Sequence, residues 1–350
     1  MNRHHRTAVY LTLGIAIFIL FVKFVLSPPT VANNENEKEK DSVLIFTATT
    51  FFGLDMPSQK GSFIGKCPQR IQDYCRLTSN MEEFDKADAV LYHHPNYDPV
   101  VHVLPRNPNQ VQVVLTMESP YYNLFRGLIN WTMTYRPDSD VYFPYGILKD
   151  KKQSIQTNLE AIWAAKNDNL TVAWMVTNCN APSKRMELVE AAQKVGLNVD
   201  IFGLCGKKLG ECDRNNENRY ECAARQLRNY KFYLALENTN CHGYITEKFF
   251  HALRLYETIP SNAYIAIDDF PTIKDFVIFL NKLASNKTDY LKYHSWRDYY
   301  DVVNTDVSTG FCLLCQKLKQ PVQQTRNYVD LFNWFLKDMC ENNYTDRFLL

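Results

Sequence analysis

The sequence has almost no net charge. Its 350 residues carry 39 Lys and Arg against 38 Asp and Glu, a formal +1, so it offers no bulk electrostatic footprint for a nucleic-acid partner. It lacks low-complexity tracts beyond a short polar stretch at residues 27–41. Apolar residues make up 46% and charged residues 22%, which excludes disorder as the main state. No second cysteine pair at metal-ligand spacing accompanies Cys312 and Cys315. Structural disulfides are therefore a better reading of that pair than half a zinc site or a redox centre. A clear Asp-x-Asp metal motif is also lacking; only Asp138-Ser139-Asp140 has the spacing.

The most conspicuous feature present is at the start. Arg3, His4, His5 and Arg6 precede an apolar run from Ala8 to Leu26, interrupted only by Lys23 near its far end. A spanning helix needs about 20 mainly apolar residues, and a lysine near the end of such a helix can snorkel to the interface. Positive charge ahead of the span keeps the N-terminus cytosolic. The expectation is a cytosolic tail at 1–7, a transmembrane signal-anchor at 8–26, a flexible stem at 27–41 and a lumenal body, a single-pass type II topology. The alternative is a cleaved signal peptide. That usually has a shorter apolar core and a small-residue cleavage site, which Leu26-Ser27-Pro28-Pro29 does not supply. Ten cysteines suit an oxidising compartment. Four Asn-x-Ser/Thr sequons, at Asn130, Asn169, Asn286 and Asn343, all lie on the expected lumenal side.

Beyond the stem, short apolar runs read as strands at 43–46, 89–92, 111–115, 171–176, 199–203 and 230–236, with helices at 186–195 and 247–256 among the intervening segments. Alternating strands and helices predict parallel α/β layers. Two such sets in sequence, with no repeat in the amino acids, predict two Rossmann-like domains facing a cleft. Ligands of open α/β sheets bind beyond the carboxyl ends of strands, so the strand-to-helix turns are where chemistry belongs.

The turn after 230–236 holds Glu237, Asn238, a Cys241-His242-Gly243 link and then Tyr244-Ile245-Thr246-Glu247-Lys248. Thr246 can cap the following helix, whose N-terminus offers N–H groups and a positive dipole end to a phosphate. Lys248 adds a full charge, and Glu247 can accept from sugar hydroxyls. A capped helix with a surface ion pair fits the same residues.

The run Tyr230 to Leu253, YKFYLALENTNCHGYITEKFFHAL, resembles the hallmark motif of the α-1,3-fucosyltransferases, Y-x-F-x-L-x-x-E-N-S/T followed by Y-I/V-T-E-K-hydrophobic. The resemblance extends through Met117-Glu118-Ser119-Pro120, through Asn130 to Asp140 (NWTMTYRPDSD) closing at Pro144-Tyr145-Gly146, and through Ser183-Lys184-Arg185. It continues in Val199 to Gly206, Ile267-Asp268-Asp269-Phe270 and Phe311-Cys312-Leu313-Leu314-Cys315. It implies a glycosyltransferase-B fold, with an acceptor-side domain at 42–165, a GDP-fucose-binding domain at 166–300 and a tail at 301–350 packing back. It implies inverting transfer of L-fucose from GDP-fucose to the 3-hydroxyl of a GlcNAc-type residue in a glycan acceptor, at the Golgi membrane. By the same resemblance Glu118 is the catalytic base, and Arg185, Glu237, Asn238, Tyr244, Glu247 and Lys248 surround the donor. Cys312 and Cys315 are tied back to Cys67 and Cys75. No metal site and no obligatory cofactor are implied, a divalent cation being at most a stimulant. Asp138 and Asp140 belong to the family stretch around them.

One stretch departs from the family pattern. After the motif helix the family continues with a V-P-x-V-x-G strand and a loop, whereas here Ile259-Pro260 runs straight into Ser261-Asn262-Ala263-Tyr264-Ile265. About fifteen to twenty residues are absent by that measure, too many for a trimmed loop. The expected loss is a core strand and a loop beside the nucleotide. Three readings stay open: a truncated isoform with a skipped exon, a catalytically silent relative that binds glycan or protein in the secretory pathway, and a shortened link that still permits a complete sheet.

Overall fold

The computed structural model describes residues 40–57, 63–120, 129–210, 212, 219–252, 261–321, 328, 331–336, 339–341 and 343–349. The expected tail, the anchor at 8–26 and all but the last two residues of the stem lie outside them, as does Pro260 at the expected junction. Among the described residues no helix is long and apolar enough to cross a membrane.

Six strands form the larger sheet: β1 (Val43–Thr47), β2 (Cys75–Thr78), β3 (Ala89–His93), β4 (Val111–Thr116), β5 (Trp131–Thr134) and β6 (Val141–Tyr142). Their order is β2-β1-β3-β4-β5-β6 and every pairing is parallel. All residues of β1, β3, β4 and β5 are buried. A parallel sheet needs that cover on both faces, and alternation along the strands divides the residues between two cores. Ile45, Leu91, Leu115 and Met133 face one side; Phe46, Val90, Tyr92 and Val114 face the other.

A two-stranded antiparallel ribbon follows, β7 (Gly146–Asp150) pairing with the distant β11 (Tyr300–Asn304). A second, smaller parallel sheet comprises β8 (Val172–Met175), β9 (Val199–Phe202) and β10 (Phe232–Tyr233), in the order β10-β8-β9. The helix after β8, α1, runs Arg185–Lys194, and α2, after β10, is described over Glu247–Ala252. Helix α3 (Ile273–Ser285) starts at Thr272, whose hydroxyl accepts from the Asp275 N–H. Val189 and Ala192 of α1 and Phe276, Val277 and Leu280 of α3 pack on Val172, Trp174 and Val199 of the sheet.

The chain end returns to the larger sheet. Helix α4 (Val307–Lys319) inserts Phe311, Leu314, Cys315 and Leu318 into one core. A Cβ on Gly310 would meet the Met133 terminal methyl at 2.5 Å and the Phe143 ring at 2.9 Å, so a larger residue here would have to push these buried side chains aside. Tyr328 and Leu331, the latter from α5 (Leu331–Leu336), close the opposite core. A last short helix, α6, spans Asp346–Leu349.

The strand expected over 230–236 is reduced to Phe232–Tyr233. Leu234 still donates its N–H to Ala173. Beyond it the carbonyls of Leu236, Glu237 and Asn238 turn to Arg185 and Ser183 instead of a strand. On its far side β10 pairs with no strand among the described residues.

Candidate active site

The site begins where β4 ends. The Thr116 hydroxyl accepts from the Glu118 N–H at 3.2 Å, which turns the chain off the sheet. The Glu118 carboxylate then meets the Tyr244 hydroxyl, which donates to Oε2 at 3.4 Å. The Tyr135 and Tyr244 rings lie 5.2 Å apart, and Phe335 closes the same cluster. Tyr145 donates its hydroxyl to the Met117 carbonyl at 2.6 Å. Burial pushes the Glu118 carboxyl above the ordinary carboxylate range. Glu247 adds to the rise, and the Lys248 ammonium and Tyr244 hydroxyl oppose it. Burial, followed by the negative field of Glu118, raises Tyr244 so far that it stays protonated and acts as a donor.

Behind Tyr244 lies a compact charge cluster. Glu237 accepts from the Thr246 N–H at 2.7 Å and from its hydroxyl at 2.8 and 2.9 Å. The Lys248 ammonium reaches Glu237 at 3.2 Å, Glu247 at 2.9 Å and the Thr246 hydroxyl at 2.9 Å, one partner for each of its three donors. Burial pushes Glu237 up, and Lys248 with the Thr246 N–H limits the rise. For Glu247 burial also acts upward, but Lys248 outweighs it and the net shift is downward. Burial disfavours the Lys248 ammonium, yet Glu237 and Glu247 together hold it charged above its ordinary range. At Glu118 the Lys248 charge outweighs that of Glu247. Tyr233, half-buried beside them, is pushed up to about 12 by loss of solvent.

Arg185 is 3% exposed. Its guanidinium donates to the Leu236 carbonyl at 2.7 Å and the Asn178 carbonyl at 2.9 Å, with the Trp174 ring 5.8 Å away. It fastens the end of β10 to the end of β8; the resemblance counts it among the residues around the donor. Asn238 gives its carbonyl to the Ser183 N–H, and its side-chain oxygen is buried with no partner among the described residues. The turn thus unites Glu237, Tyr244, Glu247 and Lys248, and Tyr244 joins them to Glu118. Arg185 holds the entry of the same turn through the Leu236 carbonyl, and Asn238 holds it through Ser183.

The remaining sequence-derived candidates lie away from this centre. Disulfides join Cys67 to Cys312 and Cys75 to Cys315, across 245 and 240 residues. Three more join Cys179–Cys205, Cys212–Cys222 and Cys241–Cys340. Asn169 and Asn343 are exposed. The Asn130 side chain accepts from the Gln112 N–H, and Asn286 caps the next helix by accepting from the Asp289 N–H. Asp138 forms a two-pronged pair with Arg136, and Asp140 accepts from Thr132 and Tyr328. Among the described residues no group of three His, Cys, Asp or Glu is arranged to hold a metal.

Tyr135, Tyr145, Trp334 and Phe335 carry no role in the sequence reading. The first two stand inside quoted motif stretches, which is a usable signal. Trp334 and Phe335 come from about 90 residues beyond Tyr244, and nothing local marks them. Arg136 fixes Trp334 by donating to its carbonyl at 2.7 Å and stacking 4.2 Å above its ring.

Two family models match the chain. "Fucosyltransferase, N-terminal" covers residues 38–146, and "Glycosyltransferase family 10 (fucosyltransferase) C-term" covers 163–334. The Caenorhabditis elegans alpha-(1,3)-fucosyltransferase fut-6 is 34% identical over 97% of this chain and 96% of that protein. Its sister fut-5 is 35% identical over 89% and 88%. The Drosophila melanogaster glycoprotein 3-alpha-L-fucosyltransferase A is 33% identical over 77% of this chain and 55% of its own length. The fut-6 alignment runs over 381 positions against 350 residues here, so that relative carries residues this chain lacks. On these matches the chain belongs to glycosyltransferase family 10, the fucosyltransferases.

Proposed function

We propose that this chain transfers L-fucose from GDP-fucose to the 3-hydroxyl of a GlcNAc-type residue of a glycoprotein or glycolipid glycan, inverting the anomeric centre. One observation carries the reading. Glu118, a half-buried carboxylate at the carboxyl end of β4, is joined by Tyr244 to the charge cluster of the fucosyltransferase motif. A base of raised affinity for protons therefore stands against the donor turn, as acid–base catalysis near neutral pH requires. Glu118 takes the acceptor proton as that oxygen bonds to the fucose anomeric carbon and the carbon–phosphate oxygen bond breaks. Lys248 exchanges a bond to Glu247 for the departing diphosphate, and Glu247, so released, accepts from a donor hydroxyl. Arg185 places the turn and adds positive charge beneath it.

The larger and smaller sheets correspond, in this reading, to the acceptor-side domain at 42–165 and the GDP-fucose-binding domain at 166–300 of a glycosyltransferase-B arrangement. Residues 301–350 form the tail. The run 8–26 anchors the chain in the Golgi membrane with its body lumenal, and the four sequons carry glycans. This reading includes no obligatory metal, a divalent cation being at most a stimulant; Asp138 and Asp140 are bound to Arg136, Thr132 and Tyr328.

The catalytically silent alternative draws on two features. β10 is open on one side among the described residues, and all three Lys248 donors are spent internally. A transfer assay with GDP-fucose and N-acetyllactosamine, LacdiNAc and chitobiose-core acceptors decides between them. Fucosylated product supports the enzyme; folded, disulfide-bonded protein that binds GDP without transfer supports the silent relative.

A further inference from the structure

Residues 339–341 and 343–347 lie beyond the region matched by either family model, yet they grip the chain at three places, the first of them the donor turn. Cys340 is disulfide-bonded to Cys241, inside the motif. On either side of that bond, the Met339 carbonyl accepts from the His242 N–H at 2.6 Å and the Glu341 N–H donates to the Asn240 carbonyl at 2.8 Å. The second grip is on the turn ahead of Arg185. The Thr345 hydroxyl, 2% exposed, donates to the Ser183 carbonyl at 2.5 Å, and Asp346 holds the Lys184 ammonium at 2.7 Å. Lys184 has φ +53°, a left-handed conformation costly for a residue with a side chain, so this turn needs holding from outside. The third grip is on Asp268, which accepts from the Tyr344 hydroxyl at 2.6 Å and pairs with Arg347.

We infer that this C-terminal segment is a clasp that positions Tyr244 on Glu118, with Cys340 and Thr345 as its positioning residues. The route is short. Cys340 fixes Cys241; the Cys241 carbonyl accepts from the Tyr244 N–H at 3.1 Å; and the Tyr244 hydroxyl reaches Glu118. Gly243, with φ +68°, gives the link a sharp bend but no stiffness of its own. The Cys241–Cys340 bond and its two flanking hydrogen bonds supply that stiffness. The clasp touches neither reacting atom. Its effect falls on the rate of the chemical step, because a displacement of about 1 Å in a catalytic group can cost about a hundredfold.

This inference rests on the fucosyl-transfer reading for its kinetic part and is independent of it for its structural part. The test uses the full chain with Cys241→Ser/Cys340→Ser, which leaves no free thiol. Amide exchange at 242–246 should quicken while exchange in β4 stays at the wild-type rate, and kcat should fall about tenfold or more with GDP affinity within about threefold. In a Tyr244→Phe background the same pair of serines should cost less than about threefold, since the clasp acts through that residue. A full additive loss there, or unchanged exchange at 242–246, overturns the proposal. If the serine pair is not secreted, Thr345→Val/Asp346→Asn keeps the disulfide and decides the same question: faster exchange at 183–185 and 240–246 supports the clasp, and no change overturns it. If the wild-type chain transfers no fucose, the functional reading fails, and the exchange measurements still decide on the clasp.

Discussion

The Tyr244 hydroxyl meets the Glu118 carboxylate at 3.4 Å across 126 residues of sequence. This contact joins the end of a strand in the larger sheet to the motif that follows the smaller one. It also separates two roles that look alike in sequence. In the proposed reading Glu118, half-buried with one long hydrogen bond, is the base, and Glu237, half-buried and bound by Thr246 and Lys248, is held in place as an anion behind it.

Replacing Glu118 by Gln should lower fucosyl transfer by about 10²–10⁴-fold while GDP binding, followed by titration calorimetry, is unchanged. Stability should move the other way. The folded pKa of Glu118 is raised above its unfolded value, so its contribution is fully present below the unfolded pKa and is lost as pH rises through the folded one. At neutral pH the Gln variant should melt no lower than wild type. An active Gln variant would refute the assignment of the base.

The acid limb of the kcat profile should lie above the ordinary carboxylate range, because deprotonated Glu118 is the active form. Tyr244→Phe removes a hydrogen bond that favours the charged carboxylate, so the limb should shift to higher pH. Lys248→Met removes a neighbouring positive charge and should shift it the same way, with weakened GDP binding besides. A shift to lower pH in either variant contradicts the electrostatics described for the site.

Glu237→Gln should destabilise the protein by about 1–3 kcal/mol, the cost of leaving buried hydrogen-bonding groups poorly matched. Lys248 keeps Glu247 as a partner, which holds the loss below the ~3–5 kcal/mol typical of a fully broken buried pair. Urea unfolding of the chain from Val43 onward, with unchanged denaturant dependence, reads this directly.

Much of the scaffold is legible in the sequence because burial and period agree. Strands β1, β3 and β4 are short apolar runs bounded by polar turns, and helix α1 ends at Gly196. The Glu118–Lys248 centre is legible only through the fucosyltransferase motif; the residue pattern alone fits a capped helix equally well. Strand β10 is shorter than its sequence suggests: seven apolar-rich residues predict a full strand, but pairing on one side ends when Arg185 and Ser183 take the next carbonyls. Trp334, Phe335 and the Cys340 clasp are not legible, since each acts at a contact made only by the folded chain.

The two long-range disulfides tie the tail helix α4 to the entry of the larger sheet. Cys312→Ser/Cys315→Ser should cost about 2–5 kcal/mol per bond removed, enough to abolish secretion at about 37 °C. Secretion yield and thermal melting in a host with an oxidising pathway check this. Wild-type yield and melting would show that the apolar contacts of Phe311 and Leu314 suffice without the staples.

The most direct test of the account is fucosyl transfer itself, by the chain from Val43 onward expressed in a secretory host. GDP release should be matched by a fucosylated acceptor in which the transferred fucose is inverted at its anomeric carbon, with turnover lost in the Glu118→Gln variant. Well-folded, disulfide-bonded protein that binds GDP yet forms no product with any GlcNAc-type acceptor would contradict it.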